Sequence, residues 1–172
     1  SVTLGSTQAV DVGGFLKGYV AEHLARLARQ AQGVIVNIGG DIFTRGTGVG
    51  GEPFSFEIEN PLRPLEPVSF LCSGGGIATS GSYKRAWKLH GKPFFHILGK
   101  DGMDNPDTDI VSATVCAPTG HEAEAFATTA LVLGSEQATL LLEEEGFSYA
   151  FIHSDGTLTC SDAFVDTSSV YA

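Results

Sequence analysis

A glycine-rich stretch ahead of a helical pattern, DVGGFLKGY, combines residue types that can hold an anion. Glycines let the backbone approach a ligand closely, and the free N–H groups of a helix N-terminus together with a lysine attract phosphate. The residues concerned are Asp11, Gly13, Gly14, Lys17 and Gly18. A plain glycine turn with a solvated lysine is the alternative interpretation.

Three further stretches carry polar side chains at spacings that suit a ligand site. NIGGD ends a strand pattern with two glycines and Asp41. ATSGSY places Ser80 and Tyr83 on a predicted turn, where they can donate hydrogen bonds to phosphates or ring carbonyls. In AEAFATTA, Glu124 and Thr128 are four residues apart, so on a helix they offer two oxygens to a hard cation such as Mg²⁺. The alternatives are a glycine bulge, a serine-rich turn and a solvated helix face.

Histidine and cysteine placement gives weaker indications. His96 lies in the apolar stretch KPFFHIL, where a histidine is either a satisfied core residue or a working base. The three cysteines, Cys72, Cys116 and Cys160, are widely spaced and form no C-x-x-C pair. We interpret them as buried thiols rather than as a zinc site or a disulfide framework.

The overall charge limits the ligands that the chain can attract. Ten basic and twenty acidic residues give a formal net charge of −10, and such a field repels nucleic acid and anionic lipid. An anionic ligand therefore requires a local cation. No apolar run is long enough to cross a bilayer, and no leader pattern follows Ser1, so the compartment stays open.

Apolar periodicity predicts the elements that position these residues. Residues 14–30 indicate a helix and GVIVNIG a buried strand. GHEAEAFATTALVLG and SEQATLLLEEEG indicate two more helices, the second with Ser135 as its N-cap. Single strands are predicted at FSFEIEN, KPFFHIL and DIVSATVCAP. PVSFLCS and GIATS are predicted to form a hairpin or a bulged continuation. FSYAFIHSDGTLTCS is predicted to form two strands around a Ser-Asp-Gly turn. This pattern favours an α+β fold with a mainly antiparallel sheet, in a single domain over residues 1–172.

Five stretches resemble, in this order, the successive motifs of the ApbE family, the FAD:protein FMN transferases. They are DVGGFLKGY, VNIGGDI, IATSGSY, FHIL and AEAFATTALVLG. The resemblance spans nearly the whole chain and corresponds to the later, larger part of a family member, without the family's N-terminal segment. It implies an ApbE-like domain related to the T-fold. It also implies a Mg²⁺-dependent enzyme that transfers FMN from FAD to a threonine of an acceptor protein and releases AMP. Because family members are often exported lipoproteins, the implied location is the bacterial periplasm or cell envelope.

The same resemblance implies roles for individual residues. The implied contacts to FAD are Asp11, Lys17 and the backbone of Ile97, with Lys17 countering the diphosphate; Ser80 and Tyr83 are further candidates. The implied ligands of Mg²⁺ are the Gly14 carbonyl, Glu124 and Thr128. His96 matches the position of the base that takes the proton of the threonine hydroxyl.

Two departures from the family pattern define the alternatives. Glu124 stands where the family has Asp and is one methylene longer, so we expect weaker or shifted Mg²⁺ binding. The family's DPRTG is here GKDGM, in which Lys100 and Asp101 carry charges at a different spacing. One alternative is a module that binds FAD without transfer, or hydrolyses it slowly. The other is an interaction domain that has lost flavin.

Overall fold

In a computed structural model, which describes residues 2–162 and 164, the chain folds into one large antiparallel sheet, two small hairpins and three helices. The helices are α1 (Leu16–Leu27), α2 (Gly120–Leu133) and α3 (Ser135–Glu145). The strands are β1 (Gly33–Ile38), β2 (Asp41–Gly46), β3 (Phe54–Ile58), β4 (Val68–Cys72), β5 (Gly75–Gly81), β6 (Ala86–Leu89), β7 (Lys92–Phe95), β8 (Ile110–Ala117), β9 (Ser148–His153) and β10 (Leu158–Cys160). The prediction of an α+β fold with a mainly antiparallel sheet is confirmed.

The large sheet has the strand order β1-β2-β5-β8-β9-β10, and every neighbouring pair is antiparallel. Its two central strands, β5 and β8, are paired from Gly76 with Ala117 to Gly81 with Ser112. The hairpins β3–β4 and β6–β7 form separate two-stranded sheets. Helix α2 packs across β5 and β8, so it covers the centre of the large sheet.

Side chains of β8 alternate between the two faces of the sheet, as the pleat requires. Ala113 and Val115 are fully buried against the helices, together with Ala127 and Leu131 of α2. Cys116 points to the opposite face, where it packs in a second cluster that includes the β3–β4 hairpin. Small alanines on the helix side let α2 approach the sheet closely, which brings its polar residues next to the strands.

Local capping explains where α2 begins. Thr119 accepts a hydrogen bond from the Glu122 N–H at 3.3 Å and donates its hydroxyl to the Glu122 carboxylate at 2.6 Å. The first bond satisfies one of the N–H groups that a helix start leaves unpaired, and the second joins the two side chains. No helix in the described part of the chain has the length and apolar character that a bilayer span requires.

Two predicted strand arrangements are wrong. PVSFLCS and GIATS do not pair with each other, because β4 pairs with β3 while β5 lies in the large sheet. One of these glycines, Gly76, serves helix packing, since a Cβ there would lie 2.4 Å from the Thr119 carbonyl oxygen. The strand predicted through His96 ends at Phe95, where the Asn105 side chain takes over the backbone hydrogen bonds. Strands β2 and β6 were not predicted.

Three smaller predictions also need correction. The first helix runs from Leu16 to Leu27, so it is shorter at both ends than residues 14–30. Ser135 is the first residue of α3 and Gly134 occupies the N-cap position, because the Ser135 hydroxyl donates to Asp109 at 2.5 Å. Cys160 is exposed rather than buried, since β10 is an edge strand with all three of its residues exposed.

Candidate functional site

The centre of the candidate site is a cation held between two buried carboxylates. Lys17, in the first turn of α1, donates to Asp41 at the start of β2 and lies 3.0 Å from the Oε1 atom of Glu124 in α2. The two carboxylate side chains are 5% and 4% exposed, whereas the Lys17 side chain is 43% exposed. The ammonium group therefore lies where the buried carboxylates meet solvent.

Burial and mutual charge shift the ionisation of this cluster. Desolvation alone would lower the pKa of Lys17, but hydrogen bonds to Asp41 and Glu124 outweigh it and raise that pKa above its ordinary value. Burial raises the pKa of Asp41, and the nearby Glu124 adds to this effect although Lys17 opposes it. One ammonium and two carboxylates leave the cluster with an excess of negative charge, which suits an added cation better than an added anion.

Helices α1 and α2 brace each other through a reciprocal pair of carboxylates. Glu124 of α2 accepts the backbone N–H of Gly18 in α1 at 2.7 Å, and Glu22 of α1 accepts the N–H of Gly120 in α2 at 3.0 Å. Both N–H groups belong to the first turn of a helix, where they lack an intrahelical partner and carry the positive end of the helix dipole. Each helix thus places a negative side chain on the N-terminus of the other.

A contact between two glycines makes this crossing possible. A Cβ at Gly18 would lie 2.0 Å from the Gly120 carbonyl oxygen, and a Cβ at Gly120 would lie 2.2 Å from the Gly18 carbonyl oxygen. Such distances are far inside van der Waals contact, so no side chain fits at either position. The close approach of the two backbones is what brings Lys17 within ion-pair distance of Glu124.

The backbone carbonyl of Gly14 accepts no hydrogen bond among the described residues. In a continued helix this carbonyl would accept from the Gly18 N–H, but that group donates to Glu124 instead. Gly14 is exposed and has open space around it. Its carbonyl oxygen is therefore available to a ligand beside α1.

A hydroxyl pair lies one helical turn beyond Glu124. Thr128 of α2 and Ser80 of β5 are hydrogen-bonded through their side-chain oxygens at 2.9 Å. Ser80 thus lies on a strand rather than on the predicted turn, and it faces the helix side of the sheet. The structure brings together four of the predicted site residues here: Lys17, Glu124, Thr128 and Ser80.

His96 lies beside this cluster, in the segment that follows β7. Its imidazole is exposed, and desolvation together with the charges of Arg85 and Lys17 lowers its pKa below the ordinary value. A histidine in this state is neutral at pH 7 and can accept a proton. Its backbone is fixed by Asn105, whose side chain accepts from the Phe95 N–H at 2.9 Å and donates to the carbonyls of Phe95 at 2.7 Å and Ile97 at 2.6 Å.

The remaining candidate residues lie around the cluster or apart from it. Asp11 is exposed and accepts the Gly13 N–H at 2.8 Å, which shapes the turn before α1. Tyr83 lines a cavity of about 200 Å³ on the opposite face of the sheet, together with Thr79 and Thr114, and does not join the ion-paired cluster. Ile97 is buried in the core by its side chain.

The two charged residues of the GKDGM loop make contacts outside this cluster. Lys100 donates to Gln137 of α3 at 3.2 Å, and Asp101 accepts the N–H groups of Met103 and Asp104 within its own turn. A larger cavity of about 350 Å³, lined by Cys72, Cys116 and aromatic residues, contains none of the predicted site residues.

Most of the chain matches one known protein family, described as the ApbE family, over residues 2–151. The chain belongs to the ApbE family. This membership confirms the resemblance that the five ordered motifs indicated, and it covers every predicted site residue.

Relatives and solved structures of the ApbE family agree with this assignment. The FAD:protein FMN transferase of Escherichia coli (strain K12) is 36% identical over 152 residues, covering 86% of this chain and 43% of the relative. The FAD:protein FMN transferase of Treponema pallidum (strain Nichols) is 30% identical over 173 residues, covering 91% of this chain and 47% of the relative. The crystal structure of the ApbE protein from Thermotoga maritima has a TM-score of 0.81 at 25% identity and covers 90% of this chain and 52% of that one. The chain thus spans about half the length of the relatives it matches.

Sequence reasoning missed several residues that build the site. Asp41 was noted only as an acid after two glycines, and its ion pair with a lysine 24 residues earlier has no local signal. Glu22 and Asn105 were not singled out, because a glutamate on a helix and an asparagine in a polar loop are ordinary. The Gly120 contact could have been suspected, since a glycine in the first turn of an otherwise strong helix often marks a close approach.

Proposed function

We propose that this chain carries the transfer site of a Mg²⁺-dependent FAD:protein FMN transferase. The enzyme moves FMN from FAD to a threonine hydroxyl of an acceptor protein and releases AMP. The observation that carries the proposal is the ion pair of Lys17 with Glu124, one helical turn from Thr128 and at the end of α1 where the Gly14 carbonyl is unpaired, within motifs of the ApbE family. Relatives that cover most of this chain are named for this activity.

The oxygen donors around Glu124 fit Mg²⁺. The Glu124 Oε1 atom is buried and has no partner among the described residues apart from the Lys17 ammonium group at 3.0 Å, the Gly14 carbonyl is unpaired, and the Thr128 hydroxyl lies one turn away. Carboxylate, carbonyl and hydroxyl oxygens are the ligands that a hard cation prefers. No group of three or more His, Cys, Asp or Glu side chains in residues 2–162 and 164 could hold a metal, so these ligands must include the backbone and the hydroxyl. A bound Mg²⁺ would draw charge from the diphosphate as the bond to AMP breaks.

The chain's own residues supply the proton transfer. The threonine oxygen forms a bond to the phosphorus of FMN while the bond from that phosphorus to the AMP oxygen breaks. The hydroxyl proton passes to His96, whose lowered pKa keeps its imidazole free to accept it. Lys17, held in place by Asp41, presents its solvent-facing ammonium group to the diphosphate.

Covalent FMN and free AMP test this proposal directly. The chain is incubated with FAD, Mg²⁺ and an acceptor protein that contains the family's target threonine; mass spectrometry detects the added FMN and chromatography detects AMP. His96→Ala is expected to lower the rate about 100-fold or more, as loss of a general base does. His23→Ala, which removes an exposed histidine from α1, is the matched control and is expected to retain the rate. Absence of AMP above the blank contradicts the proposal.

A second function is favoured by one observation, the engagement of Glu124 with Lys17 and Gly18. If this brace holds Glu124 too firmly for a metal, the chain binds FAD without transferring FMN, or hydrolyses FAD slowly. FAD binding that persists in EDTA, with no turnover after Mg²⁺ is restored, supports the second function. Binding that requires Mg²⁺ supports the first.

The proposed compartment, the bacterial periplasm or cell envelope, rests on the family resemblance alone. Fractionation of the source cells, followed by immunodetection of this chain, tests it. Detection confined to the cytoplasmic fraction would contradict this part of the proposal.

A further inference from the structure

Positive charge is concentrated in one short part of this acidic protein. Residues 84–100, here called the basic hairpin, contain five of the ten lysines and arginines and no acidic residue. The other residues carry the remaining five basic and all twenty acidic side chains. The segment comprises β6, β7 and their flanks, so half of the basic residues of this acidic protein lie in one hairpin and its ends.

The basic hairpin is also apolar and open. All four residues of β6 are exposed, and Trp87 and Leu89 each have 52% of their surface accessible. Trp87 stacks on Phe94 with ring centroids 6.4 Å apart. Among the described strands β6 and β7 pair only with each other. Exposed aromatic residues bordered by cations, next to unpaired strand edges, are the composition of a protein-binding surface.

This surface leads directly into the candidate catalytic base. β7 ends at Phe95, and the next residue is His96. Asn105 holds the backbone on both sides of His96 through Phe95 and Ile97. A polypeptide that lies along the basic hairpin therefore extends toward the His96 imidazole, which in the proposed function receives the threonine proton.

We propose that the basic hairpin is the docking surface for the acceptor protein, and that it selects an acidic segment with an apolar side chain close to the target threonine. This inference rests on the proposed function and names the kind of partner that the same site takes. Arg85 and Lys88 provide the charge recognition, because neither forms an ion pair within residues 2–162 and 164. Trp87 provides the apolar contact.

The charge arrangement fits a peptide better than a lipid surface. Lys84 is already paired with Glu59 at 2.6 Å and Lys92 with Asp104 at 2.9 Å, so only part of the positive charge is available. Anionic membranes are recognised by clusters of about four to eight unpaired cations. Trp87 and Lys88 are successive residues of β6, so their side chains point to opposite faces of the hairpin and match the alternating side chains of an extended acidic segment along its open edge.

Binding of a designed peptide tests the docking surface without FAD or Mg²⁺. The probe is a fluorescein-labelled peptide with a central threonine flanked by aspartates and one leucine, measured by fluorescence anisotropy. The same peptide with lysines in place of the aspartates is the control ligand. Lys88→Glu is expected to raise the Kd for the acidic peptide about fivefold, and Trp87→Ala about tenfold. Arg29→Glu changes the net charge equally at an exposed position outside the hairpin and is expected to leave the Kd within about twofold.

The outcomes separate this inference from the proposed function. If FMN transfer occurs but Lys88→Glu and Trp87→Ala leave both the KM for the acceptor and the peptide Kd unchanged, the docking surface is refuted while the function stands. If these variants weaken peptide binding but no AMP is released by any form of the protein, the docking surface stands and the function falls. Thermal melts that match the parent protein ensure that both variants are folded. Loss of binding to phosphatidylglycerol vesicles, with peptide binding unchanged, would overturn the proposal in favour of a lipid surface.

Discussion

Removal of the Glu22 side chain tests the reciprocal bracing of the two helices. The carboxylate is 11% exposed, accepts the Gly120 N–H at 3.0 Å, and bonds Arg26 at 2.7 and 2.9 Å. A hydrogen bond to a charged group contributes about 1.5–3 kcal/mol when its loss leaves a buried partner unsatisfied. An i,i+4 ion pair on a helix adds about 0.3–0.5 kcal/mol. Glu22→Ala is therefore expected to lower the free energy of unfolding by about 2–3 kcal/mol.

Urea denaturation followed by circular dichroism measures this change, and Arg26→Gln is the matched control. Arg26→Gln removes the ion pair but leaves the bond between Glu22 and Gly120, so it is expected to cost no more than about 0.5 kcal/mol. If Arg26→Gln destabilises the protein as much as Glu22→Ala does, the stabilisation comes from the ion pair and the bracing argument is refuted. A loss below about 0.5 kcal/mol for Glu22→Ala refutes it as well.

The same carboxylate predicts a pH dependence of stability. Burial alone would raise the pKa of Glu22, but Arg26 and the Gly120 N–H hold it below its ordinary value of 4.5. Because the pKa is lower in the folded than in the unfolded protein, the stabilisation is complete above the unfolded pKa and is lost as the pH falls through the folded pKa. The difference in stability between the parent protein and Glu22→Ala is thus expected to shrink below about pH 4.5, measured by urea denaturation across pH 3–7.

Three further predictions concern packing, positioning and reactivity. Gly18→Ala is expected to destabilise the protein by about 2–3 kcal/mol through the backbone clash, whereas Gly14→Ala, in open space, is expected to change stability by less than about 0.5 kcal/mol in urea denaturation. Asn105→Ala removes three hydrogen bonds beside the candidate base, and kinetics are expected to show a lower kcat for FMN transfer. Iodoacetamide is expected to label exposed Cys160 first and Cys116, whose thiol pKa is raised by burial, only after unfolding, as read by peptide mass mapping.

Regular elements with strong periodicity could be predicted from the sequence. The helices around Tyr19, Glu124 and Leu140 and the strand through Val115 were predicted within a few residues of their observed ends. These segments bury one face or lie wholly in the core, so their apolar spacing reflects the packing directly. The Ser-Asp-Gly turn between β9 and β10 was also predicted, because glycine at a positive φ marks such turns.

Arrangements that depend on distant partners could not be predicted in this way. The sequence GGG that runs into β5 is typical of a turn, yet no side chain fits at Gly76 because the backbone of Thr119 lies against it. The pattern around His96 is typical of a strand, yet Asn105 ends the strand by bonding the backbone with its side chain. In both cases a residue outside the local window decides the structure.

The surroundings of Lys17 show why composition alone does not predict the charge that a ligand meets at a site. A lysine in an acidic protein was expected to counter a phosphate, and the structure adds two carboxylates that already compete for its ammonium group. Those carboxylates lie on β2 and α2, and the one on α2, Glu124, reaches Lys17 because Gly18 lets α2 approach α1. An anion approaching this lysine must overcome the excess negative charge of the cluster, and under the proposed function a cation at Glu124 would offset that charge. The glycine contact between the helices therefore sets how close the lysine lies to Glu124, and with it the negative charge that an anionic ligand meets there.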